Sequence, residues 1–169
     1  MKHAITLNVN GEEWDLEVEP SETLLETLRA RVGVKSPKVG CERGDCGSCT
    51  VLLDGKTVRS CIVLAVEADG HSVITVEGLS KDGPTELQKS FVAANAFQCG
   101  FCAPGTILAA SELLAKNPRP TREDVQEAIS GNLCRCTGYV AIIDAVLDAS
   151  RKIEPPAAGD ASRKGGRHA

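Results

Sequence analysis

No stretch of this sequence approaches the about 18 consecutive apolar residues that a membrane-spanning helix needs, although 42% of its residues are hydrophobic. The opening residues Met1-Lys2-His3-Ala4-Ile5-Thr6-Leu7-Asn8-Val9 alternate polar and apolar side chains and hold no continuous apolar core, so no secretory signal is visible. A reducing, cytoplasmic setting is the expectation. Basic charge is also short. Residues 1–150 carry 14 Lys and Arg against 21 Asp and Glu, in a chain whose total is −4, the opposite of a surface that neutralises nucleic-acid phosphates. The three histidines, His3, His71 and His168, show no ligand spacing, which disfavours a Rieske-type site with its paired histidines. Neither a Rossmann fingerprint nor a P-loop is present, and no repeat of solenoid length occurs.

What the chain does have is cysteine: eight among 169 residues. That is below the roughly 8–10% of a short disulfide scaffold, and in a reducing compartment an even set binds metal more readily than it forms disulfides.

The first part reads as strands around one helix. Ile5, Leu7 and Val9 alternate, Asn10-Gly11 signals a hairpin, and Trp14, Leu16 and Val18 alternate on the return. Ser21 is expected to cap a helix carrying Leu24, Leu25 and Leu28 on one face and ending near Gly33. Strands are expected at Thr50–Leu53 and Thr57–Cys61 around Asp54-Gly55, and at Val73–Val76 after Asp69-Gly70. This is an α+β pattern, a small mixed sheet on one helix, as in the β-grasp arrangement. The second part changes period. Helices are expected at Glu86–Ala96 with Leu87, Phe91 and Val92, at Gly105–Lys116 behind Pro104, at Val125–Ile129 behind a Thr121/Asp124 cap, and at Tyr139–Lys152 with Ile142, Ile143, Val146 and Leu147. Four helices with short connections read as a small bundle. The division is expected at the Ser80–Pro84 linker, giving domains 1–79 and 84–153, with a flexible Pro/Gly/Ala-rich tail at 154–169.

Cys41, Cys46, Cys49 and Cys61 are spaced C-x4-C-x2-C-x11-C, the plant-type pattern for a 2Fe–2S cluster. Gly40, Gly44 and Gly47 between them allow the backbone to wrap closely and aim N–H groups at sulfur. Cys99, Cys102, Cys134 and Cys136 form a second set, both of its pairs placed at helix beginnings where the dipole favours thiolate. Its spacing is less diagnostic, and tetrahedral zinc remains an alternative for it. A catalytic thiol at Cys41 or Cys99 is disfavoured, because nothing would then explain three companions at cluster spacing.

Three segments carry a resemblance. Gly40-Cys41-Glu42-Arg43-Gly44-Asp45-Cys46-Gly47-Ser48-Cys49-Thr50, Gln98-Cys99-Gly100-Phe101-Cys102-Ala103-Pro104-Gly105 and Gly131-Asn132-Leu133-Cys134-Arg135-Cys136-Thr137-Gly138-Tyr139 resemble, in order, the signatures of the iron–sulfur subunits of the xanthine oxidase family of molybdenum hydroxylases. Ala103 departs from the pattern, where the family more often has Thr. The resemblance implies a plant ferredoxin-like β-grasp domain followed by a four-helix bundle domain, each holding one 2Fe–2S cluster. It implies a large partner with molybdopterin (as the cytosine dinucleotide), a medium partner with FAD, and a heterotrimer that can be doubled. Electrons would run from molybdenum through the 99/102/134/136 cluster, then the 41/46/49/61 cluster, to FAD or another acceptor. Gln98 and Cys136 would contact the pterin end. No residues are left over for a molybdenum or flavin domain, so the chain is expected to be a relay subunit without a substrate site. The competing reading is a free two-cluster carrier.

Other residues have plainer roles. Phe91, Phe97 and Phe101, all the phenylalanines, are read as core packing or as a dry shell around the second cluster. Arg135 is read as a cation beside a cluster or as a surface salt bridge, Tyr139 and Trp14 as packing residues. Glu42, Arg43 and Asp45 are read as a solvated loop face that a flavin partner would recognise by charge.

Overall fold

The computed structural model describes residues 1–153; the tail at 154–169 lies outside them. The chain opens with β1 (His3–Val9) and β2 (Glu12–Val18), antiparallel from His3↔Val18 to Val9↔Glu12. Asn10 and Gly11 join them with φ of 54° and 82°, the two positive values that a tight hairpin turn requires. Alternation then does its work: Ile5, Leu7 and Val9 are buried on one face. β3 (Thr50–Leu53) and β4 (Lys56–Arg59) form a second hairpin, and β5 (Ser72–Ile74) lies between the two. The sheet order is β2-β1-β5-β3-β4, with β5 parallel to β1 and antiparallel to β3.

Helix α1 (Leu24–Thr27) continues as a wider turn, Leu28–Val32, to Gly33 at φ 87°. Its cap is Thr23 and not Ser21. Thr23 Oγ1 accepts the Glu26 N–H at 3.2 Å, and the Glu26 carboxylate accepts the Thr23 N–H at 2.8 Å. Ser21 has Leu24, not an acid, at the reciprocal position. Leu24 and Leu28 join Leu7, Val18, Val51 and Val73 in the sheet-side core.

Two strands end earlier than expected. β4 stops at Arg59, and a 3-10 turn, Ser60–Ile62, carries Cys61. β5 stops at Ile74, because the Asn10 amide captures Thr75: Asn10 Oδ1 accepts the Thr75 N–H at 2.8 Å and its Nδ2 donates to Thr75 Oγ1 at 3.0 Å. Val76 therefore starts a short helix, α2 (Val76–Leu79), whose Val76 and Leu79 pack on the helical core.

That core is shared by α3 (Glu86–Ala93), α4 (Ala103–Lys116), α5 (Arg122–Ile129) and α6 (Val140–Lys152). Capping boxes Thr85/Gln88 and Thr121/Asp124 start α3 and α5. Leu87 and Phe91 are buried, but Val92 faces solvent, and α3 stops at Ala93, three residues before its expected end. Leu147 is partly buried behind Ile142, Ile143 and Val146. The architecture is thus mixed α+β: a five-stranded sheet followed by a helical half, with six α-helices among the described residues.

The loop before α1 is pinned by a two-point ion pair, Arg31 Nε and Nη2 to Glu22 Oε1 and Oε2, both at 2.6 Å. The Arg31 guanidinium, more than burial opposes it, holds the Glu22 carboxyl down at about 2 against an ordinary 4.5. A depressed carboxylate stabilises the fold fully above its unfolded value and loses that contribution as the pH falls through the folded one. Denaturant unfolding between pH 5 and pH 2 is therefore expected to show Glu22→Gln less stable than the parent at pH 5, the gap closing progressively from about 4.5 to about 2. A gap that stays constant over this range would count against the pair.

Candidate metal centres

The first cysteine set lies on the loop between α1 and β3 and on the turn after β4. The loop coils because its glycines permit it. Gly44 and Gly47 have φ of 87° and 73°, and a Cβ on Gly40 would come within 2.7 Å of Cys46 Sγ. The coil turns N–H groups inward, and Cys41 Sγ accepts that of Cys46 at 3.4 Å. These N–H groups, Arg43's foremost and then that of Cys46, bring the Cys41 thiol down to about 7. Cys49 and Cys61 are buried together against Leu25, and burial pushes Cys61 up to about 11. Cys61 also feels Cys49 and Cys41 as neighbouring charges, so the sheet and the loop bring this set together.

The second set lies where α4 begins and on the turn before α6. Cys99 and Cys136 meet at 3.6 Å between sulfurs, both exposed, while Cys102 is buried beside Cys134. The expectation that helix starts favour thiolate in both pairs holds only in part. The Phe101 N–H lowers the Cys99 thiol, but burial drives Cys102, the cap of α4, up to about 12. Cys134 is lowered although burial opposes it, through the hydroxyl and N–H of Thr137.

The donor sets fit iron and sulfide. Each gathers four thiols, soft ligands that hold a 2Fe–2S cluster through thiolate, and the glycine at position 40 keeps open the space against a sulfur. Among the described residues no three His, Cys, Asp or Glu side chains converge on a single metal ion. A two-iron cluster asks instead for two protein ligands at each iron.

The two sets meet across a buried seam. Leu133 N–H, beside Cys134, donates to the carbonyl of Cys46 at 2.9 Å. Asn132, 2% exposed, donates through Nδ2 to Gly47 O and to Thr50 Oγ1, both at 3.0 Å. Thr50 Oγ1 donates in turn to Gly47 O at 2.7 Å and accepts from Arg59 Nη1 at 2.8 Å; Arg59 Nη2 reaches Gly131 O at 2.7 Å. The Thr50 hydroxyl thus gives one hydrogen bond and accepts two, its full capacity. Asn132 Oδ1 is the one buried side-chain oxygen or nitrogen without a partner among the described residues. A second bridge lies nearby, where Glu112 of α4 accepts the Thr57 N–H of β4 at 2.9 Å.

Other expectations fare unevenly. Gln98 Nε2 donates to the Cys136 carbonyl at 3.1 Å on the exposed side. Phe91 is buried, whereas Phe97 and Phe101 are 39% and 44% exposed, so they form no dry shell here; the Lys38 ammonium stands 5.6 Å from the Phe101 ring. Arg135 is exposed and forms no salt bridge among the described residues. Glu42, Arg43 and Asp45 are exposed, with Arg43 paired to Asp45 at 2.6 Å. Trp14 packs on the sheet core as expected. Tyr139 packs on the helical core but also accepts the Cys134 N–H on its hydroxyl at 2.8 Å. Arg59, Asn132 and Thr50 were not singled out by the sequence. Asn132 sits inside a cysteine motif, whereas Arg59 looks like any exposed strand residue.

Residues 7–75 match the family described as 2Fe-2S iron-sulfur cluster binding domain, and residues 75–147 the one described as 2Fe-2S binding domain. The chain is 50% identical over 149 residues to the nicotine 6-hydroxylase small subunit of Paenarthrobacter nicotinovorans, covering 88% of this chain and 90% of that protein. It is 51% identical over 146 residues to the nicotinate dehydrogenase small FeS subunit of Eubacterium barkeri, covering 86% and 93%. Its fold is similar to a chain of quinoline 2-oxidoreductase from Pseudomonas putida 86, with a TM-score of 0.86 and 48% identity over 89% of this chain and 94% of that one.

Gly47 is where the seam leaves no room, since a Cβ there would meet Gly131 O at 2.3 Å and Asn132 Cα at 2.9 Å at a φ of 73°. Gly47→Ala is expected to lose about 2–5 kcal/mol of unfolding free energy, from left-handed strain plus overpacking. Gly55→Ala, at φ 79° but in open space, is expected to lose only the strain, about 1–2 kcal/mol. Urea unfolding of the two variants tests this, and equal losses would show that the seam is not tightly packed.

Proposed function

We infer the function of this chain from one premise: it belongs to the family of iron–sulfur small subunits of the xanthine oxidase-type molybdenum hydroxylases. It is an electron-transfer subunit of an oxidoreductase complex, and its molybdopterin partner is a separate, larger chain. The named relatives act on nicotine, nicotinate and quinoline. The substrate changes while the small chain is retained, so its part is the one they share.

In our reading Cys41, Cys46, Cys49 and Cys61 hold one 2Fe–2S cluster and Cys99, Cys102, Cys134 and Cys136 the other. We read the domains as a ferredoxin-like β-grasp unit at 1–79 and a four-helix bundle at 84–153, with α2 at the end of the first unit packing across onto the second. When bound, each cluster supplies a one-electron centre, and the pair relays electrons from the molybdopterin site to FAD or another acceptor. The observation that carries this is the seam. The Leu133 N–H to Cys46 carbonyl bond ties the backbone beside a ligand of one set to a ligand of the other, giving two fixed centres in one body.

The residues of this chain have distinct tasks. Buried Cys49, Cys61 and Cys102 form the dry side of each site, while Cys99 and Cys136 face outward. Gln98 holds the Cys136 carbonyl and, with Cys136, meets the pterin end of the partner's cofactor. Exposed Phe97, Phe101 and Leu133 stand within two residues of cysteines of the second set, and exposed Val39 and Ile62 within two residues of cysteines of the first. Two apolar rims, one at each centre, favour a subunit held between a molybdopterin chain and an FAD chain, in a heterotrimer that can be doubled, over a diffusing carrier. We place the complex in the cytoplasm.

Iron and acid-labile sulfide analysis of the purified complex is expected to give about four of each per copy of this chain, with two distinct EPR signals on reduction. One zinc beside two irons would overturn the two-cluster reading. Cys102→Ser is expected to abolish one signal and reduce turnover at least a hundredfold while substrate still binds. Cys46→Ser is expected to leave molybdenum reducible by substrate but to block acceptor reduction to a similar degree. Normal steady-state acceptor reduction in either variant would show the relay order to be wrong.

A further inference from the structure

The turn before α6 is built around one sulfur. Thr137 Oγ1 lies 3.1 Å from Cys134 Sγ and accepts the Tyr139 N–H at 3.2 Å. The Tyr139 hydroxyl comes back to accept the Cys134 N–H at 2.8 Å. These contacts close the segment 134–139 on itself, with Cys134 held at both its amide and its sulfur. Tyr139 takes up this position at a φ of 69°, a left-handed conformation that a bulky side chain rarely adopts. Its ring is anchored on the helical core and Gly138 before it has a φ of 62°. A strained residue of this kind persists only where its surroundings over-determine it, and such residues gather at functional sites.

We propose that the Thr137 hydroxyl donates a hydrogen bond to the Cys134 thiolate and thereby raises the reduction potential of the second centre, with Tyr139 as the positioning residue that aims it. The proposal rests on the reading of Cys134 as a cluster ligand. The direction of the hydrogen bond follows from counting protons. A ligating sulfur carries none and can only accept. The Thr137 oxygen already receives the Tyr139 N–H, which leaves its own proton for the sulfur. A donor at a thiolate ligand offsets negative charge, and reduction adds one more negative charge to the centre. The bond therefore favours the reduced form. In the relay proposed above, this makes the centre facing the partner's pterin the better acceptor of the first electron.

The test is an EPR-monitored redox titration of the whole complex carrying Thr137→Val, Thr137→Ser or neither. Thr137→Val keeps the shape and removes the donor. The equilibrium constant for reducing the second centre is expected to fall about tenfold, a shift of 59 mV to more negative potential for a one-electron couple. The first centre stays unchanged, and Thr137→Ser keeps the parent's value. A change under twofold with both signals intact overturns the proposal and leaves the ligand reading standing. Equal shifts at both centres also overturn it, since they would report a general structural effect. Absence of a second signal in the parent overturns the ligand reading and the proposal with it. Should Thr137→Val lose iron, Thr137→Ala is titrated to the same thresholds.

Discussion

The amide of Asn132 stands where both cysteine loops, the sheet and the start of α4 meet, and its two N–H bonds decide how these parts sit together. One goes to the Gly47 carbonyl between two cysteines of the first set, the other to Thr50 at the head of β3. Buried polar networks of this kind are costly when incomplete and specific when complete. Here every donor finds an acceptor, and only Asn132 Oδ1 is left over. The amide cannot turn over, because its oxygen would then face the Gly47 carbonyl. Glycine is required at positions 47 and 105, where an added Cβ would strike the backbone or the amide across the seam.

Around this point the chain solves an electrostatic problem. Gathering four sulfurs that must lose their protons is unfavourable unless something nearby offsets the charge. The first set uses backbone N–H groups, concentrated on Cys41. The second uses N–H groups at Cys99 and a side-chain hydroxyl at Cys134. Each set also contains a deeply placed thiol, Cys61 or Cys102, that burial holds in its neutral form in the free chain. Ligation must displace that proton, so these two positions make cluster loading dependent on pH. The thiols that N–H and hydroxyl groups lower, Cys41, Cys99 and Cys134, are exposed or half-exposed, and those that burial raises, Cys61 and Cys102, are buried, while exposed Cys136 is raised by Cys99 beside it.

Much of this was legible in the residues, and the exceptions share a cause. Period-two and helical spacing located the strands and helices, and cysteine spacing divided the eight thiols into two groups of four. The α1 cap moved from Ser21 to Thr23 because a capping box needs the reciprocal acid, present only at Glu26. β5 ended early because an asparagine 65 positions away took hold of Thr75, an event no local pattern encodes. Phe97 and Phe101 looked like core from composition alone, yet they lie on the turn that leads to an exposed sulfur. Arg59 was invisible for a related reason, since its two acceptors come from Thr50 and from Gly131, 72 positions further on. Local chemistry was readable; contacts closed across the whole chain were not.

The parallel pairing of β1 with β5 also has a temporal meaning. Asn8 aligns with Ser72 and Val9 with Val73, so the first cysteine loop lies inside a closed circuit of chain between strands that are distant in sequence. Closing so long a circuit is entropically slow compared with forming local hairpins or helices. The circuit cannot close until β5 has been synthesised, and the Cys46 carbonyl waits longer still for Leu133. During synthesis the four thiols of the first set therefore emerge before the strand and the loop that hold them in place. Iron and sulfide are best accepted by a finished chain, because only then does the Leu133 N–H hold the loop of the first set in place.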